Sequence, residues 1–272
     1  TQKTWLKKQL RMGYNLLKGK KGIIFGALDD RSIAWKVAER CNEEGAELIL
    51  TNAPVALRMG KIGELGEKLG ADIIPADVTL NEDLENLIAT ANEKFGGIDF
   101  ILHSVGMSPN VRKGRAYTDL NYDFYHKTLD ISAMSLHRLL QTCYKMDALN
   151  EWASVVALTY IAAQRTYTGY GDMAEAKSML ESIARSFGHH YGEHKNVRVN
   201  TISQSPTVTT AGSGVEGFDD FISNADKLSP LGNATADECA DYCVSMFSDL
   251  TKKVTMQNLF HDGGYSSMGA AE

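Results

Sequence analysis

The stretch GIIFGALDDRSIAWKVAERCNEE, residues 22–44, indicates how this chain folds. Its first four residues, Gly22–Phe25, form a short apolar run typical of strands that are buried on both faces. A loop beginning at Gly26 follows, and Arg31–Glu44 then repeats apolar residues at helical spacing. Strand, loop and helix in this order predict the first half of a βαβ unit.

The same alternation continues to the end of the chain. Six further strands are predicted at Glu47–Thr51, Asp72–Ala76, Phe100–His103, Ala153–Thr159, Val197–Ile202 and Gln257–His261. The other predicted helices are Val55–Leu69, Leu84–Phe95, Tyr122–Met146, Asp172–His190, Asp219–Lys227 and Asp237–Phe247. Because most strands are apolar throughout, we expect one parallel sheet with helices on both faces. Right-handed crossovers then give a doubly wound Rossmann-type fold, an α/β single domain over residues 12–272.

The composition limits the classes of function that the chain can have. It has 272 residues, 43% of them hydrophobic, and a net charge of −6. This charge argues against a nucleic-acid partner, because phosphate binding needs concentrated positive charge. No apolar run approaches the roughly 20 residues that cross a bilayer, so no membrane segment is expected. Residues 1–11, before Met12, are predicted to be an upstream remnant, with a short amphipathic arm as the alternative.

The four cysteines lack the spacing of a disulfide framework or of a zinc site. They are Cys41, Cys143, Cys239 and Cys243. We interpret them as small buried hydrophobic residues in a reducing compartment, which indicates a cytoplasmic protein, and we expect no bound metal.

In a sheet of this kind, ligands bind at the carboxyl ends of the strands. The loop after the first strand keeps one glycine, Gly26, where a standard dinucleotide fingerprint has three. The helix that begins near Ser32 still offers free N–H groups and a positive dipole end to a pyrophosphate, and the Ser32 hydroxyl could add a hydrogen bond. After the second strand, Asn52-Ala53-Pro54 supplies neither an acid for the NAD ribose nor a base for a 2′-phosphate. The choice between NAD and NADP therefore stays open.

The fifth strand ends at Tyr160, and Tyr170 and Lys177 follow it. Seven residues make almost two helical turns, so we expect Tyr170 and Lys177 to share one helix face. A lysine ammonium beside the ribose hydroxyls can orient a nicotinamide cofactor and favour a polarised tyrosine hydroxyl. Ketone-reducing enzymes of this type usually have a serine thirteen residues before the tyrosine, where this chain has Ala157. The second tyrosine, Tyr160, favours enoyl thioester reduction instead.

Several motifs, in order, resemble the type I enoyl-acyl-carrier-protein reductases, a divergent branch of the short-chain dehydrogenase/reductase superfamily. The motifs are SIAW at 32–35, ADV at 76–78, LHSVGMSPN at 102–110, TY with RTYTGYGDMAEAK within 159–177, VRVNTISQSPTVTTAGSG at 197–214 and HDGG at 261–264. The similarity runs from about Tyr14 to about Met268 and is greatest to versions from the Bacteroidetes.

The resemblance implies roles for residues at matching positions. The NADH site would contain Gly26, Ser32, Ile33, Ala53, Asp77, Val78, Val105, Lys177, Thr207, Val208, Thr209, Thr210 and Ala211. The catalytic residues would be Tyr160, Tyr170 and Lys177, and the substrate would contact Met107, Ser108, Tyr160 and Met173. The family also implies a homotetramer, an acyl carrier protein as partner, and a flexible flap at about Thr209–Phe221.

Two departures from the family pattern affect these expectations. Ala53 stands where many relatives have a glutamine for the adenosine ribose, so NADPH stays an alternative to NADH. The flap has the acids Glu216, Asp219 and Asp220 where some relatives have basic residues. Carrier docking would then be weak or would use other cations, such as Arg112, Lys113 and Arg115.

Two other functions compete with enoyl reduction. A short-chain ketoreductase would share the fold but need the serine that Ala157 replaces. A non-catalytic dinucleotide-binding regulator would keep the Gly26 loop and have no need of Tyr160, Tyr170 and Lys177. Fold alone does not distinguish these functions from enoyl reduction, so the presence of the two tyrosines and the lysine is what favours enoyl reduction.

Overall fold

The computed structural model describes residues 13–209 and 218–269, and their strands form one parallel sheet. The strands are β1 (Lys21–Phe25), β2 (Glu47–Thr51), β3 (Asp72–Ile73), β4 (Ile98–His103), β5 (Leu149–Thr159), β6 (Arg198–Gln204) and β7 (Asn258–His261). They lie in the order β3-β2-β1-β4-β5-β6-β7. The order reverses at β1 and β4, so the crevice of a doubly wound sheet lies between their carboxyl ends. The predicted fold class is confirmed.

Helices cover both faces of this sheet. They are α1 (Ile33–Glu43), α2 (Pro54–Met59), α3 (Ile62–Leu69), α4 (Asn81–Phe95), α5 (Pro109–Arg112), α6 (Tyr122–Leu129), α7 (Ser135–Lys145), α8 (Met173–Lys195), α9 (Phe218–Leu228) and α10 (Ala236–Phe247). Within the described ranges, no helix combines the length and the apolar character needed to span a bilayer. The four cysteines are free and buried.

Strand β1 shows why the sheet is covered on both sides. Ile23 and Phe25 belong to the core on the α4, α7 and α8 side. Ile24, which points the opposite way, packs in the core formed with α1, α3 and α10. Since successive side chains of a strand face opposite sides, a fully apolar strand needs two cores.

The predicted helix over Val55–Leu69 is wrong, because the structure divides it into α2 and α3. The division falls at Gly60, where the Lys61 N–H leaves the helix and donates to the Leu28 carbonyl over 2.7 Å. A Cβ atom on Gly60 would lie 2.6 Å from that same oxygen. The loop after β1 therefore packs directly against the break, which only a glycine permits.

The predicted helix over Tyr122–Met146 is also interrupted. Asp130–Met134 forms a wider, π-helical turn between α6 and α7. Such turns contain one extra residue and are frequent at functional sites. The predicted third strand is shorter than expected, ending at Ile73, although the Ala76 N–H still bonds to the Asn52 carbonyl.

Candidate active site

A cavity of about 260 Å³ opens at the carboxyl ends of the central strands. Ten of the residues predicted for the site line it: Ile33, Val105, Met107, Ser108, Tyr160, Tyr170, Met173, Lys177, Thr207 and Thr209. Residues that were not predicted for the site also line it, among them Ser104, Gln204 and Pro206, and so does Phe221 from the end of the predicted flap. The strand order thus brings segments that are distant in sequence to one crevice.

Two tyrosine rings form one wall of this cavity. The ring centroids of Tyr160 and Tyr170 lie 5.1 Å apart at an angle of 54°. The Tyr160 hydroxyl is buried and has no hydrogen-bond partner in the part of the chain that the structure describes. Desolvation raises the pKa of both phenols, so both keep their protons at neutral pH. They are therefore positioned as hydrogen-bond donors for a ligand.

Lys177 lies on α8 behind the tyrosines and is buried. Its ammonium donates to the Leu158 carbonyl over 2.8 Å. Burial lowers the pKa of Lys177 to about 8, although the Glu181 carboxylate, one turn further along α8, partly opposes this shift. Burial and the charge of Lys177 lower the pKa of His103 to about 3, so His103 is neutral and Lys177 supplies positive charge to this side of the cavity.

The expectation that Tyr170 and Lys177 share a helix face is wrong in one respect. Helix α8 begins at Met173, and Tyr170 lies in the turn before it, where its carbonyl accepts from the Met173 N–H over 3.2 Å. The two side chains nevertheless line the same cavity. The turn, rather than helical periodicity, brings them together.

The end of β1 fits a dinucleotide pyrophosphate. Gly26 has a φ of +97°, and a Cβ atom there would lie 1.9 Å from the Ser104 carbonyl oxygen, so the loops after β1 and β4 touch. The Ser32 hydroxyl accepts from the backbone N–H groups of Leu28 and Asp29 over 3.1 and 3.0 Å. Its own proton is left to donate to a phosphate. Helix α1 starts one residue later with free N–H groups, which favour an anion.

The residues predicted for the adenosine end lie outside the catalytic cavity. Ala53 precedes α2, and the neighbouring Asn52 amide donates to the Ala27 carbonyl over 2.9 Å. Asp77 accepts from the backbone and the hydroxyl of Thr79. Val78 is buried in the core beside α4, next to Asp77.

The described ranges cover only part of the predicted flap. Val208 is 60% exposed and does not line the cavity. Thr210, Ala211 and Glu216 lie outside the described residues, as do residues 1–11.

Sequence reasoning missed the buried carboxylate of Asp172. It accepts from Ser108 Oγ over 2.5 Å, and from Asn110 Nδ2 and Thr128 Oγ1 over 2.8 Å each. Ser108 also caps α5 by accepting from the Val111 N–H over 3.0 Å. Asp172 thus joins the start of α8 to the loop that contains the predicted substrate residues.

Sequence reasoning also missed Ser132, in the π-helical turn, because its partner Met107 lies 25 residues earlier in the chain. Its hydroxyl accepts from the Met107 N–H over 2.9 Å and lies 3.1 Å from the Met107 carbonyl oxygen. The Ser132 hydroxyl therefore fixes the backbone of the loop after β4 at Met107, next to the Ser108 side chain that Asp172 holds.

Asp172→Ala is expected to lower the free energy of unfolding by about 3 kcal/mol, because three buried donors lose their acceptor. Asp172→Asn, which keeps one acceptor oxygen, should lose less. Urea denaturation followed by circular dichroism measures both, with Asp226→Ala as the control because Asp226 is exposed. An Asp172→Ala protein as stable as the wild type would show that the network contributes nothing to folding.

A doubly wound sheet, a helix N-terminus at its crevice, and tyrosine and lysine side chains after β5 define a nicotinamide-dependent reductase of the Rossmann type. A model of the family described as enoyl-(acyl carrier protein) reductase matches residues 26–266. The chain belongs to this family, and the resemblance predicted from its motifs is confirmed.

Relatives and solved structures agree with this assignment. A protein from Rickettsia bellii named enoyl-[acyl-carrier-protein] reductase [NADH] FabI is 35% identical over 262 residues, which are 95% of this chain and 98% of the relative. The crystal structure of a FabI–NADH complex from Alistipes finegoldii, of the Bacteroidetes, matches with a TM-score of 0.94 and 65% identity, covering 95% of this chain and 92% of that one. A second Alistipes finegoldii FabI structure matches with a TM-score of 0.90 and 62% identity, covering 95% and 94%.

Proposed function

We propose that this protein uses NADH to reduce the C2–C3 double bond of a trans-2-enoyl thioester held on acyl carrier protein, a step of fatty acid elongation. The observation that supports this most directly is the convergence of Tyr160, Tyr170 and Lys177 on one cavity. The Rickettsia relative is named as an NADH-dependent reductase of this substrate, and the Alistipes structure is a complex with NADH.

Tyr170 stabilises the charge that develops during the reaction. Bound NADH supplies the hydride that reduces C3. The thioester oxygen then becomes negative, and the Tyr170 hydroxyl donates a hydrogen bond to it. A donor placed for such an oxyanion contributes about 3 kcal/mol to lowering the barrier. Since desolvation raises the pKa of Tyr170, its phenol stays protonated and able to donate.

Lys177 holds the nicotinamide ribose. Its buried ammonium lines the same cavity as the tyrosines, and its hydrogen bond to Leu158 O fixes its direction. It can donate further hydrogen bonds to the ribose hydroxyls, because an ammonium has three donors. Ala157, buried at the end of β5, leaves no hydroxyl where a ketoreductase has its serine.

The loss of absorbance of the reduced nucleotide tests the proposal with the unmodified protein. Crotonyl-CoA and acetoacetyl-CoA are compared, each with NADH and with NADPH. Turnover of crotonyl-CoA with NADH is expected, and preferential turnover of acetoacetyl-CoA would favour the ketoreductase. Nucleotide binding with neither substrate consumed would favour a regulator.

A carrier-protein partner, a homotetramer and a cytoplasmic location are parts of the same proposal. For docking of the acidic carrier, Arg112 is exposed at the edge of the catalytic cavity, and Lys113 and Arg115 follow it. Arg115 is already paired with Asp119 over 3.3 Å. Sedimentation equilibrium would give the number of subunits.

A further inference from the structure

A third tyrosine lies behind the catalytic pair. The ring of Tyr167 is 5.3 Å from that of Tyr160, at an angle of 55°. Its hydroxyl lies 2.5 Å from the hydroxyl of Tyr265, in the segment after β7. Phe221 also packs on Tyr167, with ring centroids 5.8 Å apart. Three phenols, Tyr160, Tyr167 and Tyr265, therefore follow one another away from the cavity.

The first two of these phenols, Tyr160 and Tyr167, lie between two cavities. Tyr160 lines the catalytic cavity, and Tyr167 lines a second cavity of about 810 Å³. Polar side chains of Arg115, Gln164 and Arg165 border the second cavity, so it suits water. Tyr167 and Tyr265 are both half-buried, whereas Tyr160 is only 8% exposed.

Tyr160 cannot keep a negative charge in this position. Desolvation raises the pKa of Tyr160, and the nearby hydroxyls of Tyr167, Tyr170 and Tyr265 raise it further. The interaction between the Tyr160 and Tyr167 hydroxyls does not reach the geometry of a full hydrogen bond in this structure. A phenol hydroxyl can both donate and accept, so a hydrogen bond formed between these two neighbouring hydroxyls could pass a proton from Tyr167 to Tyr160. A proton lost from Tyr160 must therefore be replaced at once by a neighbouring hydroxyl.

We infer that Tyr160, Tyr167 and Tyr265 form a proton relay that delivers a solvent proton to C2 of the substrate. This inference rests on the proposed function. After C3 is reduced, the substrate holds an electron pair shared between C2 and the thioester oxygen. The Tyr160 O–H bond breaks as the C2–H bond forms, a proton moves from Tyr167 to Tyr160, and another moves from Tyr265 to Tyr167. Water then reprotonates Tyr265, so the phenols end unchanged and the substrate has gained one hydride and one proton.

Phenylalanine variants test the relay, because they remove a hydroxyl and keep the ring. Tyr167→Phe is expected to lower kcat for crotonyl-CoA by about tenfold or more, since general acid catalysis contributes about 10²–10⁴-fold and water can replace part of it. Tyr265→Phe should lower kcat less, because water in the second cavity still reaches Tyr167. The double variant should be no slower than Tyr167→Phe, because the two hydroxyls act in series.

Two further readouts and a control variant separate a relay from a structural role. The solvent isotope effect on kcat should rise in Tyr167→Phe as proton transfer becomes rate-limiting. The dissociation constant of NADH, from nucleotide fluorescence, should be unchanged in all variants. Tyr144→Phe is the matched control, because Tyr144 packs on Tyr191 and His194 away from both cavities.

A kcat within twofold of the wild type and an unchanged solvent isotope effect in both single variants would overturn the relay. Additive losses in the double variant without a change in the isotope effect would also overturn it, since they indicate ordinary packing defects. Neither result bears on the proposed function, which is tested by the activity of the wild-type protein on crotonyl-CoA and acetoacetyl-CoA.

Discussion

Replacing Tyr170 by phenylalanine is expected to slow the reduction of crotonyl-CoA by a factor of about 10²–10³. The substitution removes one hydroxyl and keeps the ring, which packs on Tyr160 with centroids 5.1 Å apart. The lost hydroxyl is the donor that would bond the negative thioester oxygen. Because this bond is strongest in the transition state, kcat should fall much more than the affinity for the substrate.

Initial rates at saturating NADH measure this effect. The dissociation constant of NADH and the thermal unfolding midpoint are measured beside it, to show that the variant is folded and binds the cofactor. Tyr144→Phe again serves as the control. Unchanged turnover in Tyr170→Phe would remove this side chain from the mechanism and leave Tyr160 as the candidate donor to the oxygen.

Lys177→Ala is expected to weaken NADH binding by roughly tenfold to a hundredfold, because hydrogen bonds to a charged group contribute about 1.5–3 kcal/mol. The affinity of the wild-type protein should also depend on pH. The pKa of Lys177 is lowered to about 8, so the side chain is an ammonium below that pH and an amine above it. Since the ammonium is the better donor to the ribose, NADH should bind more weakly as the pH rises through about 8.

Fluorescence titration of NADH at several pH values measures both effects. Lys145→Ala, which removes an exposed lysine at the end of α7, is the control. Equal affinities in Lys177→Ala and the wild type would contradict the role of this lysine. A wild-type affinity that is independent of pH between about 7 and 9 would show that the ammonium is not the binding form.

Much of the fold could be predicted because strands of a doubly wound sheet are short, apolar and separated by helices. The predicted bounds of Glu47–Thr51 agree with β2, and the other six predicted strands overlap the observed ones with different bounds. The break at Gly60 could not be predicted, since a single glycine within a helical pattern is usually tolerated. What breaks the helix is the Leu28 carbonyl, more than thirty residues earlier in the chain.

In the candidate site, too, some residues could be predicted from the sequence and others could not. Tyr160, Tyr170 and Lys177 stand close together in the sequence, and local spacing after β5 was enough to group them. The partners of Asp172 lie 44 to 64 residues before it, so nothing near Asp172 distinguishes it from an ordinary helix-starting residue. The Tyr167–Tyr265 contact joins residues 98 positions apart. Contacts of this kind depend on the tertiary arrangement, which hydrophobic periodicity does not predict.

The position of the loop after β4 depends on the number of residues in the wide turn at Asp130–Met134. One residue advances a regular helix by about 100°. Losing a single residue from this turn would restore an ordinary helix and swing Ser132 away from Met107, although no contact residue would have been replaced. Insertions and deletions here should therefore disturb the substrate pocket more than most point substitutions do, and homologous chains can be aligned safely across this segment only if the extra residue is kept.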